Sequence, residues 1–190
     1  MFDSGMTVKT LFDQIKSEAD IAIDVEDDVI LSIYNGLITG LYRDIVKNEV
    51  YSEEEIEDNT VNLDFSCEDI YRVFDSSYFE AEKVNPVYAL VTDRVCWFVS
   101  GGKQIKVKNF PDEKCIIFHY EVPELPDEVG AEMNVPVPID FIDMVKAKIR
   151  GDMYNISNDD DFAAKWYGVY NTRIEDFKLF VAEKKEEVHG

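Results

Sequence analysis

The sequence is poor in basic side chains. Its 19 lysine and arginine residues stand against 40 aspartates and glutamates, which gives a formal net charge of -21 in a chain of 190 residues. Tight binding to nucleic acid depends on lysine and arginine side chains that displace counterions from phosphates, so this balance argues against a surface that grips DNA or RNA. It permits DNA to pass nearby, because a like-charged surface does not retain a polyanion.

Cysteine and long apolar runs are also scarce. The three cysteines, Cys67, Cys96 and Cys115, are odd in number and show no CxxC spacing, which predicts buried free thiols in a reducing compartment. The N-terminal segment has neither the basic start nor the apolar stretch of a signal peptide, and no apolar run reaches about 18 residues. We therefore expect synthesis in a cytosol and no membrane span.

Motifs that cradle phosphates, bind zinc or expose a nucleophile are not found in the sequence. Cys115 and His119 share one face of a predicted strand, but at roughly 3.3 Å per residue they lie about 13 Å apart, too far for a direct nucleophile-base pair. We expect a protein that is not an enzyme, with no cofactor and no metal site. A small hydrolase that uses Cys115, or Asp140 with Asp143, is the open alternative, although acids at a helix start are more often caps.

Two acidic runs carry several carboxylates each. The run 158–161 (NDDD) lacks the spacing of a calcium or magnesium loop, so a helix cap is the preferred interpretation. The segment 51–59 (YSEEEIEDN) predicts a solvated loop, with docking of a partner as the minor alternative.

Helical spacing of apolar residues predicts four helices. They cover residues 7–18 with Thr7 as the cap, about 28–48, about 138–153 and 161–187. Short β-rich runs lie between the second and third helices. They cover residues 61–65, 70–74, 87–91, 94–99, 104–108 and 115–122.

This order predicts an α+β fold in two parts. We expect a discontinuous four-helix bundle, built from the N- and C-terminal helix pairs of residues 1–59 and 136–190, because each helix is apolar on one face only. An antiparallel β-sheet domain, residues 60–135, is expected as the insertion.

Three parts of the sequence resemble the head-to-tail adaptor family of tailed bacteriophages, also called connector or tail tubular protein A. The first is MTVKTLFDQI followed by DDVILSIYNGLITGLYRDI, with Asn35-Gly36 at the centre of the second helix. The second is CIIFHYEVPELPDE, a strand that finishes in Tyr120 before a linker that begins at Pro123. The third is VPVPIDFIDMVKAKIRGDMY followed by NDDDFAAKWYGVYNTRIEDF, and together they span nearly the whole chain.

The resemblance implies a structural virion protein. Subunits of the family form a homo-oligomeric ring, typically of twelve, beneath the portal protein, and the ring is a conduit for genome DNA. The C-terminal segment would contact the portal and the β-part would face tail or nozzle proteins. The protein would be assembled in the host bacterial cytoplasm and reside in the neck or tail region of the virion.

Phe177, Phe180 and Val181 are the candidate portal-docking residues. Phe180 lies off the apolar stripe of the last helix, and a helix presents apolar residues on a second face when that face has a partner. The alternative function is an acidic cytosolic binding module, a regulator of a basic partner. High affinity of a monomer for a basic protein would favour that alternative, whereas assembly on portal rings would exclude it.

Overall fold

The computed structural model describes residues 2–18 and 25–189, and within them the chain is an α+β protein with five α-helices and two β-sheets. The chain divides into two compact units. The helical unit comprises the described residues of Met1–Val46 and Val122–Gly190, and the β unit comprises Lys47–Glu121. The divisions fall at 46/47 and 121/122, whereas the sequence predicted them at 59/60 and 135/136.

Helices begin and end the described chain, and the strands lie between them. In chain order, the regular elements are α1 (Val8–Ser17), α2 (Asp27–Leu41) with a π-helical turn (Tyr42–Val46), β1 (Glu49–Glu55), β2 (Thr60–Asn62), a 3-10 turn (Cys67–Asp69), β3 (Ile70–Asp75), β4 (Glu82–Lys83), α3 (Pro86–Val91), β5 (Cys96–Gly101), β6 (Gln104–Lys108), β7 (Lys114–Tyr120), a second 3-10 turn (Ile139–Phe141), α4 (Ile142–Ile156) and α5 (Asp160–His189).

The predicted four-helix bundle of N- and C-terminal pairs is wrong. Helix α4 is the centre of the helical unit, and α1, α2 and α5 each pack on it. The connection 122–137 also enters this core: Val135 and Val137 are fully buried, and the Val8 N–H donates to the Met133 carbonyl at 2.9 Å. Extended chain therefore fills space beside α1 that a paired helix would fill in a bundle.

Local signals set the start of α1 as predicted. The Thr7 hydroxyl accepts a hydrogen bond from the Thr10 N–H at 3.2 Å, which satisfies one of the free donors of the first turn. The apolar side of the helix is then buried at Val8, Leu11 and Ile15. The Thr7 cap is thus confirmed.

A cluster of charged side chains, Glu18 with Lys146 and Arg150, links the end of α1 to α4. The Glu18 carboxylate accepts hydrogen bonds from Arg150 and from Lys146, whose Nζ lies 3.5 Å away, and both cationic residues are buried. The guanidinium of Arg150 also lies over the Trp166 ring, 4.7 Å from its centroid. The hydrogen bond from Arg150 is the main reason that the pKa of Glu18 is lowered, against a smaller opposing effect of burial.

Replacing Glu18 by glutamine is expected to destabilise the fold in a pH-dependent way. Because the folded-state pKa is depressed, the stabilisation is present above the ordinary carboxyl pKa and is lost as pH falls through the lowered value. We expect Glu18→Gln to cost about 1 kcal/mol near neutral pH, a modest value because nearly half of the Glu18 side chain is exposed. Urea unfolding at neutral pH and near pH 3 checks this. A cost that does not shrink in acid would contradict it, and Glu132→Gln, from an exposed pair with Lys9, is the control.

The β unit contains two sheets. The first has the order β1-β7-β3 and is antiparallel throughout; the second has the order β2-β6-β5-β4, in which β4 runs parallel to β5. The predicted single antiparallel domain is thus corrected to two sheets with one parallel pair. Val73 and Ile117 from the first sheet and Trp97 and Ile105 from the second are in the shared core.

The run 87–91, predicted as a strand, forms α3. The Asn85 side chain caps this helix by accepting from the Tyr88 N–H at 2.8 Å, and Pro86 occupies the first turn. At the other end, the Lys108 ammonium donates to the carbonyls of Ala89 and Thr92, each at 2.8 Å. Caps at both ends outweigh the β propensity of the valines.

Candidate functional site

The three candidate docking residues lie on α5, and two of them point into their own unit. Phe177 is fully buried and Val181 nearly so. The Phe177 ring contacts Phe141 and Phe2, with centroid distances of 5.1 and 6.1 Å. Phe180 is partly buried against the same core. The docking role of the set stays a prediction, but Phe177 and Val181 serve the core in this arrangement.

The exposed surface near the end of α5 is formed by residues next to these three in the sequence. Leu179 is 66% exposed, and residues 182–187 are exposed without interruption. Ion pairs between residues three apart, such as Lys184–Glu187 at 2.7 Å, support this end of the helix. Helix α5 therefore ends in a polar projection of about one and a half turns, and a helix exposed all round suits a bridge to another protein.

A groove follows one side of α2. It has a volume of about 860 Å³ and is lined in part by Ser32, Gly36 and Gly40, with Asp28 and Asp44 near its ends. A methyl group added at Gly36 or Gly40 would meet nothing within 4 Å. The small residues leave room for another element to approach the α2 backbone closely.

The residues considered for catalysis lie in different units: Cys115 and His119 in the β unit, and Asp140 and Asp143 in the helical unit. Cys115 is completely buried in β7, and burial raises the pKa of its thiol to about 12, so it is protonated near neutral pH. The ring of His119 stacks on Phe65 with a centroid distance of 3.6 Å. Asp140 and Asp143 are both exposed, the first in the turn before α4 and the second in the first turn of α4. This placement lends no support to a nucleophile on Cys115.

The acidic run before α5 caps a helix, as preferred from the sequence. The Asp159 carboxylate accepts from the Phe162 N–H at 3.3 Å, and Asn158 supplies the turn in the left-handed region, with φ of 59°. Across residues 2–18 and 25–189, no group of three or more His, Cys, Asp or Glu side chains is arranged to hold a metal ion. No described helix is long and apolar enough to cross a membrane.

The segment predicted as a solvated acidic loop is partly a strand. Residues 49–55 form β1, which pairs with β7 along its full length. Glutamates have a low strand propensity, so the sequence favoured a loop, but pairing with the apolar β7 overrides that preference. The available signal was Val50 and Tyr51 ahead of the acids.

Aromatic side chains cover the face of this sheet on which Tyr51 lies. Tyr51 and Phe74 contact Phe118, with centroid distances of 5.9 and 5.3 Å, and Tyr71 stacks on Tyr120 at 4.8 Å. We call these five residues the aromatic shelf. Tyr51 is 67% exposed and the other four are half-buried, so the shelf is open to a partner.

Comparison with known proteins does not assign the chain to a family. No family model matches the chain, and no curated protein matches its sequence. The functional proposals therefore rest on the residues and surfaces of the chain itself.

Proposed function

We propose that the protein is a structural virion component, a head-to-tail adaptor that forms a ring between the portal and the tail of a bacteriophage. The observation that carries the proposal is the exposed end of α5, where Leu179 faces outward and residues 182–187 project beyond Val181, the last buried residue of the helix. An exposed terminal helix is a suitable contact for a larger assembly.

The division of the chain supports the same function. A helical unit made from both ends of the chain carries a separate β unit between them, so the two units can serve different neighbours. In the adaptor function, the helical unit meets the portal and the β unit meets tail or nozzle proteins. Twelve subunits, as in the family that the sequence resembles, would complete the ring.

Charge supports a conduit for DNA. A formal net charge of -21 gives a ring of such subunits a strongly negative field, which repels phosphates and lets the genome pass without sticking. The proposed role involves no catalysis and no cofactor. The protein would act in the neck of the virion after assembly in the bacterial cytoplasm.

Assembly on the portal tests this function. The full chain is mixed with the portal ring of the phage that encodes it and followed by sedimentation velocity and negative-stain imaging. We expect stoichiometric rings stacked on the portal, and a loss of about tenfold or more in affinity for Leu179→Arg, because a charge would enter the contact. Val169→Arg, at a 38% exposed site earlier on α5, is the matched control.

A chain that ends at Val181 gives a second readout. It lacks only residues whose described side chains are exposed, so the core remains complete while the projection is gone. Loss of portal binding in this chain supports the projection as the docking element. If the full chain fails to assemble on the portal at any salt concentration, the adaptor proposal is wrong and an acidic binding module becomes the better one.

A further inference from the structure

Among residues 2–18 and 25–189, β7 is the strand that pairs with β1, and the other side of the β1 backbone pairs with no strand. Strand β1 is thus an edge strand of the sheet β1-β7-β3. The Glu121 N–H donates to the Asn48 carbonyl and the Ile56 N–H donates to the Glu113 carbonyl, which fixes the phase of the ladder. Even-numbered residues of β1 therefore bond to β7, and the N–H and C=O groups of residues 49, 51, 53 and 55 point away from it.

The same four residues place their side chains on one exposed face. Glu49, Tyr51, Glu53 and Glu55 are all exposed, while the residues between them are half-buried. Tyr51 is the outermost ring of the aromatic shelf. A strand added along β1 would thus meet backbone donors and acceptors, three carboxylates and one aromatic ring.

Three basic side chains lie near this row, Lys47, Arg72 and Lys114, and they leave a surplus of negative charge. Lys114 lies opposite Glu55 across the sheet, and Arg72 forms an ion pair with Glu80 at 3.5 Å. Glu53, by contrast, lies opposite the apolar Ile116. A strand with lysine or arginine at alternate positions would complement this row.

A second copy of the chain is a poor occupant. Antiparallel pairing of β1 with itself about Ser52 would put Glu49 of each copy opposite Glu55 of the other, and like charges directly opposite are destabilising. Acids on an edge strand are a known protection against such self-pairing. The charge that excludes a second copy is the charge that attracts a basic strand.

We propose that the open edge of β1 is a docking site for an extended basic segment of another protein, which adds as a strand and places lysine or arginine side chains beside Glu49, Glu53 and Glu55. Backbone hydrogen bonds supply the binding and the carboxylates supply the selectivity. The site does not depend on the adaptor function, and its test uses the free protein, so the two can fail separately.

A synthetic peptide tests the site. The peptide Lys-Thr-Lys-Thr-Phe-Thr-Lys, paired antiparallel, puts its lysines opposite the three glutamates and its phenylalanine opposite Tyr51. With the full chain labelled with nitrogen-15, we expect amide shifts concentrated at residues 49–55. N-methylation of the third peptide residue should weaken binding about tenfold, because that amide faces β1, whereas N-methylation of the fourth should have little effect.

Charge-reversal variants distinguish binding at the β1 edge from nonspecific attraction of a basic peptide to an acidic protein. We expect Glu53→Lys with Glu55→Lys to weaken peptide binding about tenfold or more. Glu124→Lys with Asp127→Lys changes the net charge equally at exposed positions outside β1, in the helical unit, and should leave the affinity nearly unchanged. Equal losses in the two double variants, equal binding of the two methylated peptides, or the absence of any shift at residues 49–55 would each overturn the proposal.

Discussion

Replacing Phe177 by alanine is expected to lower the free energy of unfolding of the helical unit by about 3–5 kcal/mol. The ring is fully buried and contacts Phe2 and Phe141, which come from the chain start and from the turn before α4. Removing it leaves a cavity where three parts of the chain meet. Urea unfolding followed by far-ultraviolet circular dichroism measures the loss.

Leu179→Ala is the matched control on the same helix. Because Leu179 is 66% exposed, we expect its effect on stability to stay within about 0.5 kcal/mol. The two variants also distinguish a packing residue from a docking residue. If the proposed portal binding occurs, Leu179→Ala should weaken it without unfolding the protein. A Phe177→Ala variant that keeps its stability but loses the portal would show that Phe177 docks rather than packs.

The helices at the chain ends were predictable because their signals are local. Thr7 before an apolar stripe, and Asp159 to Asp161 before Phe162, carry the cap chemistry and the period of a helix within a few residues. The packing of those helices was not predictable in the same way. Each apolar face requires a partner, but the pattern does not say whether that partner is a helix or the extended segment that brings Val135 and Val137 into the core.

The docking prediction rests on a pattern that has two possible uses. Phe177, Phe180 and Val181 are apolar residues near the end of a long helix, and such residues either close a core or meet a partner. Phe177 packs on Phe2 and Phe141, and the positions of these two rings depend on contacts across most of the chain length.

Strand β1 shows how far the candidate site could be predicted from the sequence. Its acids indicated a loop by propensity, and only the formation of a strand with β7 puts Glu49, Glu53 and Glu55 on one face with Tyr51. The charge of the segment was readable from the sequence. The open row of backbone groups beside that charge was not readable, because it depends on pairing with residues that are 59 to 71 positions away.

The contact between α4 and α5 predicts the second large effect. A methyl group added at Gly151 would lie 2.7 Å from two ring carbons of Tyr167. The ring has little freedom to move, since its hydroxyl donates to Asp152 at 2.7 Å and Lys148 lies over its face. We expect Gly151→Ala to cost about 1–3 kcal/mol by overpacking, despite the better helix propensity of alanine.

Three further variants test this expectation more closely: Gly168→Ala, Tyr167→Ala, and Tyr167→Ala combined with Gly151→Ala. Gly168→Ala, on α5 where an added methyl would meet nothing within 4 Å, should instead gain about 0.5–1 kcal/mol, because alanine loses less backbone entropy in a helix. In a Tyr167→Ala background the cost of Gly151→Ala should disappear, since the clashing ring is gone. Thermal and urea unfolding of the four variants measure both effects. Additive costs for Gly151→Ala and Tyr167→Ala would show that the close approach of α4 and α5 does not set the stability of this contact.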